Sequence, residues 1–127
     1  MRGLKLRAKT TDGEWVYGTL CMNGVIPPHI VWVREDAEVI TTDIFQYETI
    51  GMYSRLHDKN GKEIYDGDIV HFVNPGLRYD MTMPVVFSRG DFCLEKNRNY
   101  LIPMGNFEDA CYEVVGNIFD NPEILTK

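Results

Sequence analysis

The sequence predicts an all-β protein, with an N-terminal hairpin region followed by a small SH3-like barrel or sandwich. Short apolar runs alternate with polar residues at a period of two, as half-buried strands do. Gly, Pro, Asn and Asp punctuate the chain at intervals of roughly 8–12 residues, which is typical of sandwiches and barrels. No stretch keeps a helical period of 3.6 residues over three turns.

The size of the chain predicts one domain over residues 1–127. Its 127 residues are 44% hydrophobic, which is enough to bury a core. The sequence also allows two sub-modules, 1–48 and 49–127, because the long central strand pattern begins near Thr49.

The first half of the chain is predicted to be built of hairpins. A strand with two different faces opens it, the apolar face holding Leu4, Leu6 and Ala8 and the basic face Lys5, Arg7 and Lys9. A turn at residues 11–14 leads to a returning strand at 15–20, and further strands are predicted at 29–33 and 38–41. Residues 43–48 fit either a helical turn or a bridge between strands.

Two tight turns organise the middle of the chain. Asn60-Gly61 predicts a type I′ hairpin turn, with φ > 0 at both residues, between strands at 49–55 and 63–65. Asp66-Gly67-Asp68 predicts a second turn that leads into a strand at 69–73. We interpret these two aspartates as turn caps rather than as an acid–base pair, because Asp side chains accept hydrogen bonds from nearby backbone N–H groups.

The last third is predicted to alternate loops with strands. Pro and Gly predict a long loop over residues 74–83 and irregular structure over 101–106. Arg89-Gly90 predicts a hairpin between strands 84–87 and 91–94, and the final strand is predicted at 112–119, before a helical turn at 122–125 with Pro122 in its first position. The predicted core comprises Leu4, Leu6, Val16, Leu20, Ile30, Trp32, Ile50, Ile64, Ile69, Val70, Phe72, Val86, Phe87, Phe92, Leu94, Val114, Val115 and Ile118.

The motifs predict no catalytic, cofactor or metal site. Three widely spaced cysteines (Cys21, Cys93 and Cys111) predict free thiols rather than a disulfide framework or a zinc ribbon. Three histidines share no ligand spacing, the glycines form no phosphate-binding loop, and no Ser or Cys lies in a nucleophile elbow. We therefore expect a protein that is not an enzyme.

Hydropathy predicts a cytoplasmic protein, and charge limits the partners that it can bind. The formal net charge of −6 disfavours non-specific binding to duplex nucleic acid. No apolar run approaches the ~20 residues that span a bilayer, and the N-terminus lacks the apolar core of a signal peptide.

Two surfaces are candidates for binding. Tyr, Met and Arg are enriched at protein interfaces, and the predicted loops carry several of them: Leu77, Arg78, Tyr79, Met81, Met83 and Tyr100. These loops either meet a protein partner or fold back on their own barrel. The basic face of Lys5, Arg7 and Lys9 either binds nucleic acid or is simply the solvent face of a strand, where Lys discourages edge-to-edge aggregation.

The segment IGMYSRLHDKNGKEIYDGDIV, residues 50–70, resembles the signature of the YopX family. The opening residues 2–8 and the closing residues 112–123 are similar to the ends of that family. The resemblance implies a small phage or prophage protein of Gram-positive bacteria, without an established activity or catalytic residues. We therefore predict a non-enzymatic accessory protein that acts by protein–protein interaction or as a homo-oligomer. The alternative is a nucleic-acid-binding barrel.

Overall fold

The computed structural model describes residues 5–21, 29–33, 39–43 and 46–126, and the side chains of 5–19 and 48–126. Within these ranges every regular element is a β-strand or a 3₁₀ turn, and the strands pair antiparallel. The all-β prediction is therefore confirmed. The SH3-like barrel stays a prediction, and the predicted core residues Leu4, Leu20, Ile30 and Trp32 lie outside the described side chains.

The contacts divide the chain into two compact units, Met1–Tyr53 and Ser54–Lys127. The sequence had placed its optional sub-module boundary slightly earlier, between Glu48 and Thr49. The strand that includes this boundary runs continuously over Gln46–His57.

The first unit is a sheet of antiparallel strands in the order β4-β3-β2-β1-β5. Their bounds are β1 Lys5–Lys9, β2 Trp15–Cys21, β3 His29–Val33, β4 Val39–Asp43 and β5 Gln46–His57. The predicted hairpin of β1 and β2 is confirmed, with Lys9 opposite Trp15 and Lys5 opposite Thr19. Because β1 lies between β2 and β5, it is an internal strand, and the proposed role of its lysines in guarding an edge is wrong.

The second unit contains the end of β5 and a five-stranded sheet in the order β10-β9-β8-β7-β11. Its strands are β6 Glu63–Tyr65, which lies beside β5, β7 Asp68–Asn74, β8 Tyr79–Ser88, β9 Asp91–Asn97, β10 Tyr100–Pro103 and β11 Tyr112–Asn117. Short 3₁₀ turns occupy Pro75–Leu77, Met104–Asn106, Asp109–Cys111 and Pro122–Thr126. The last of these confirms the helical turn predicted at Pro122.

The core of the second unit is centred on Phe72 and Tyr112, both fully buried. Its other buried members are Ile64, Val70, Met83, Val85, Leu94, Ile102 and Met104. The core prediction is wrong for Phe87, Val115 and Ile118, which are exposed. It missed Met83 and Met104, because the predicted loops that contain them are largely strands and 3₁₀ turns. It also missed Tyr112, although the sequence had placed that residue at the start of the last strand.

The turn after β5 differs from the predicted type I′ geometry. Gly61 takes a positive φ of 81°, whereas Asn60 does not. The Gly61 N–H donates to the Asp58 carbonyl at 2.9 Å, and the Asp58 N–H donates to the Lys62 carbonyl at 2.8 Å. This is the pattern of a type I turn closed by a left-handed glycine, the usual form of a three-residue hairpin loop. The prediction failed because it ignored Asp58, whose carboxylate Oδ1 accepts the N–H groups of Asn60 and Lys62.

The other two predicted turns are present. At Asp66-Gly67-Asp68, Gly67 takes φ 95° and the buried Asp68 carboxylate accepts the Tyr65 N–H at 2.7 Å, so the capping interpretation of Asp68 is confirmed. The two-residue loop with φ > 0 at both positions is the one at Arg89-Gly90, with φ values of 54° and 80°. It is the type I′ turn that the sequence had placed at Asn60.

The predicted long loop over residues 74–83 is wrong. Asn74 caps the 3₁₀ turn Pro75–Leu77 by accepting the Leu77 N–H at 3.1 Å, and β8 begins directly afterwards at Tyr79. The chain reverses within a few residues because of three local features: the Asn74 cap, Pro75 at the start of the turn and the left-handed conformation of Arg78 (φ 60°). The predicted irregular stretch 101–106 likewise contains most of β10.

Candidate functional site

An exposed aromatic patch lies where β8, β9 and β10 run side by side in the second unit. The hydroxyls of Tyr79 and Tyr100 are 3.1 Å apart. The Lys96 ammonium lies 5.1 Å from the centre of the Tyr100 ring and 6.0 Å from that of Tyr79. Leu77, 58% exposed, projects from the adjoining 3₁₀ turn. We call Leu77, Tyr79, Lys96 and Tyr100 the Tyr79–Tyr100 patch.

This patch is anchored to the core by a series of aromatic rings. The Phe72 ring is fully buried, and its centre lies 5.6 Å from that of Tyr79 and 4.9 Å from that of Phe107. The hydrogen bond to Tyr100, with a smaller effect of burial, raises the pKa of Tyr79 above its ordinary value of 10.0, so its hydroxyl stays protonated at neutral pH. Packing and hydrogen bonding thus fix the ring of Tyr79, while Tyr100 remains 46% exposed.

Positive charge surrounds the patch. Arg78, Lys96 and Arg98 are exposed, and the segments 74–79 and 96–107 contain no Asp or Glu. The nearest carboxylates along the chain are Asp80 and Glu95. On a chain with a formal net charge of −6 this is a local cationic surface, and it favours ligands that carry negative charge.

The structure brings together part of the predicted partner-binding set. Leu77, Tyr79 and Tyr100 lie in the patch, and Arg78 is exposed beside it. Met81 is half-buried against the core, and Met83 is only 2% exposed within it, so its assignment to partner binding is wrong. Met83 shares one face of β8 with Tyr79 and Met81, and the core covers that face fully at Met83 but only partly at the start of the strand. Lys96 was not among the residues that the sequence had assigned to partner binding.

The predicted basic face of β1 is a mixed cationic and aromatic face. Lys5 is exposed, but Arg7 is only 5% exposed, so the expectation that Arg7 faces solvent is wrong. The Arg7 guanidinium lies 4.7 Å from the centre of the Trp15 ring. The Lys9 ammonium lies 5.7 Å from the same ring, and that of Lys5 lies 5.7 Å from the Tyr53 ring. The hairpin register predicted from the sequence could have paired Trp15 with Lys9, but no local signal places Tyr53 here.

A groove of about 310 Å³ lies beside β7 and β11. It is lined by Lys59, His71, Val73, Ala110, Cys111, Tyr112 and Glu113. Lys59 and Glu113 form an ion pair in this groove, with 3.5 Å between Lys59 Nζ and Glu113 Oε1, and His71 Nε2 lies 2.6 Å from Asp80 Oδ1. In the part of the chain that the structure describes, no three His, Cys, Asp or Glu side chains are grouped to hold a metal ion.

The two cysteines with described side chains, Cys93 and Cys111, are free thiols, as predicted. Burial, and to a lesser degree the charge of Asp91, raises the pKa of the Cys93 thiol above its ordinary value. A buried thiol that stays protonated is a poor nucleophile. Over residues 5–21, 29–33, 39–43 and 46–126, no helix is long and apolar enough to cross a membrane.

Comparison with known proteins agrees with the fold. The crystal structure of protein EF1440 from Enterococcus faecalis is similar to this chain, with a TM-score of 0.59 and 23% sequence identity over 96% of this chain and 97% of that one. No curated protein matches the chain. A family model described as "YopX protein" matches residues 5–126. The resemblance predicted from residues 50–70 is thereby confirmed, and the chain belongs to the YopX family.

Proposed function

We propose that this protein is a non-enzymatic phage or prophage accessory protein that acts by binding protein through the Tyr79–Tyr100 patch. The observation that supports this function is that two separate segments meet in one exposed aromatic pair, with both hydroxyls within hydrogen-bonding distance. Aromatic side chains held in place before binding lose little conformational entropy on association. Tyr and Arg are also the residues that most often dominate the binding energy of an interface.

The partner that suits this patch presents carboxylates around an apolar contact. Arg78, Lys96 and Arg98 would face those carboxylates, and Leu77 and Tyr100 would supply the buried centre. A second copy of this chain is the first such partner to test, because its negative net charge provides carboxylates in excess. A homo-oligomer built in this way would weaken as salt screens the charges.

The test is sedimentation of the purified protein over a wide concentration range at low and high salt, beside affinity capture from a bacterial lysate treated with nuclease. Tyr100→Thr and Leu77→Ser should each weaken self-association or capture by about tenfold or more. Phe87→Thr is the matched control, because Phe87 is an equally exposed ring on the same sheet, away from the patch. A protein that stays monomeric at all concentrations and captures no nuclease-resistant partner would refute the proposal, as would equal effects of Tyr100→Thr and Phe87→Thr.

A further inference from the structure

The first unit presents a sheet face on which aromatic and cationic side chains alternate. On β2, Trp15 and Tyr17 lie directly opposite Lys9 and Arg7 of β1, so these four side chains share one face. The contact of Lys5 with the Tyr53 ring places both of those residues on the same face. Tyr17 is 42% exposed and Lys5 is exposed. We call Lys5, Lys9, Trp15, Tyr17 and Tyr53 the β1–β2 face.

Arg7 supports this face without being accessible from it. Its guanidinium stacks on Trp15 at 4.7 Å, and the residue is buried. A buried cation that contacts an indole ring restrains that ring, and Trp15 itself is partly exposed, with the Lys9 ammonium 5.7 Å from its centre as a second cation. Arg7 is thus a positioning residue for Trp15, whereas at the two ends of the same strand Lys5 is exposed and Lys9 is partly exposed.

This arrangement suits single-stranded nucleic acid. Proteins that bind single strands combine cations that follow the phosphates with aromatic side chains on which bases stack. Trp15 and Tyr17 are two positions apart on the same face of β2, which separates them by roughly 7 Å and gives each ring room for its own base. A duplex hides the faces of its bases and needs more clustered Lys and Arg than this face provides.

We infer that the β1–β2 face binds single-stranded DNA or RNA without strong sequence preference, by stacking bases on Trp15 and Tyr17 and pairing phosphates with Lys5 and Lys9. This activity is separate from the proposed protein-binding function, because the two surfaces share no residue. It also corrects the prediction from the sequence, since Arg7 acts through Trp15 rather than through a phosphate contact.

The experiment is a fluorescence titration of the full chain at about 50 mM salt. The background is Trp32→Phe, which leaves Trp15 as the single tryptophan. The probes are oligothymidylate and oligoadenylate of about 15 nucleotides, and the duplex formed from them. Both single strands should quench Trp15 emission and bind more tightly than the duplex. Affinity should fall with salt, by a logarithmic slope of about −0.7 for each phosphate contact. Absence of quenching, or tighter binding of the duplex, would overturn the inference.

Variants distinguish stacking from a general loss of structure. Tyr17→Thr should weaken binding by about five- to hundred-fold, and Tyr17→Phe should restore it because the ring is kept. Tyr100→Thr is the matched control, since Tyr100 is exposed to a similar degree but lies in the other patch. If Tyr100→Thr weakens nucleic-acid binding as much as Tyr17→Thr does, the assignment to the β1–β2 face is wrong. The same two variants have the opposite expected effects on protein capture, so the two proposals fail independently.

The salt dependence separates phosphate contacts from positioning. Lys5→Gln and Lys9→Gln should each reduce the logarithmic salt slope by about 0.7, because one phosphate contact is lost. Arg7→Lys should weaken binding while leaving the slope unchanged, because Arg7 orients Trp15. An unchanged slope in both lysine variants, or a reduced slope in Arg7→Lys, would refute the roles assigned to these residues.

Discussion

Asp58 is expected to be the most sensitive polar position of the second unit. Its carboxylate is buried and accepts three backbone N–H groups, each at 2.9 Å. Two of the donors, Asn60 and Lys62, belong to its own turn, and the third is Val114 of β11. The Lys59 N–H also donates to the Tyr112 carbonyl at 2.9 Å, so the turn is attached to β11 at two points.

Replacing Asp58 with alanine should lower the free energy of unfolding by about 4 kcal/mol. The Val114 N–H is partly buried and would lose a charge-assisted bond that contributes about 1.5–3 kcal/mol. Asn60 and Lys62 are exposed, so water can replace the acceptor there, and each loss costs about 1 kcal/mol. Asp58→Asn should cost less, because one amide oxygen still accepts the two turn N–H groups.

The assay is denaturant unfolding followed by the near-ultraviolet circular dichroism of the tyrosines. It is complemented by hydrogen exchange at the amides of Lys62 and Val114, which reports local opening. The control is Asp91→Ala, which removes one local bond to the Phe92 N–H at an exposed turn and should change the unfolding free energy by less than about 1 kcal/mol. If Asp58→Ala unfolds at the same denaturant concentration as Asp91→Ala, then the assignment of Asp58 as the link between turn and β11 is wrong.

The same carboxylate predicts a pH dependence. Burial alone would raise the pKa of Asp58, but the hydrogen bonds from Val114, Lys62 and Asn60 outweigh it and hold the pKa below its ordinary value of 3.8. At a pH between the two pKa values of Asp58, the unfolded chain binds more protons than the folded chain does. The ionised carboxylate therefore contributes its full stabilisation above the pKa of the unfolded chain, and this contribution is lost as the pH falls through the pKa of the folded chain. The stability difference between the natural chain and Asp58→Asn should therefore shrink below about pH 4.

Three further substitutions test the backbone and the core. Gly61→Ala should lower the free energy of unfolding by about 1 kcal/mol, because Gly61 has a positive φ that strains an alanine. Gly105→Ala should change it little, because Gly105 has as much open space around it and no positive φ. Tyr112→Phe should lower the free energy of unfolding by about 1–2 kcal/mol, because the buried Tyr112 hydroxyl donates a hydrogen bond to the Met104 carbonyl at 2.5 Å. Burial raises the pKa of Tyr112 well above 10.0, so the unfolded chain ionises first as the pH rises past 10. The natural chain should therefore lose this stabilisation above about pH 10, whereas Tyr112→Phe should not. Gly116→Ala would bring a methyl group within 2.7 Å of the Asn121 amide oxygen, and should increase hydrogen exchange in the adjoining turn.

The sequence was sufficient where one local signal decides the structure. The β1–β2 hairpin follows from alternation and a Gly-containing turn, and the Arg89-Gly90 hairpin follows from a two-residue connection between apolar runs. It failed where a side chain distant in sequence completes the structure. Asp58 accepts the Val114 N–H across 56 positions, and no local pattern near either residue predicts that bond.

The candidate surfaces show the same division. Composition alone suggested Leu77, Tyr79 and Tyr100 as candidate interface residues, but it could not separate them from Met83, which follows Tyr79 on the same strand. Whether a residue in β8 is exposed depends on the face it occupies and on how far the core extends along that strand. Because the sequence predicted a loop here, and a loop has no fixed period, it gave no basis for assigning these residues to one face or the other.

The two surfaces differ in how exposed their cations are, and this difference favours different ligands. Arg7 is buried against Trp15, with Lys9 as a second cation near that ring, and the partly exposed indole suits a flat, stacking group such as a nucleobase. Lys96 is exposed beside Tyr79 and Tyr100, so a partner that covers these rings must also accommodate its ammonium. A carboxylate-bearing protein surface meets that requirement by pairing with Lys96 while apolar groups pack against Leu77. The same two residue types, an aromatic ring and a cation, therefore suit the base stacking that we propose for the first unit and the protein binding that we propose for the second.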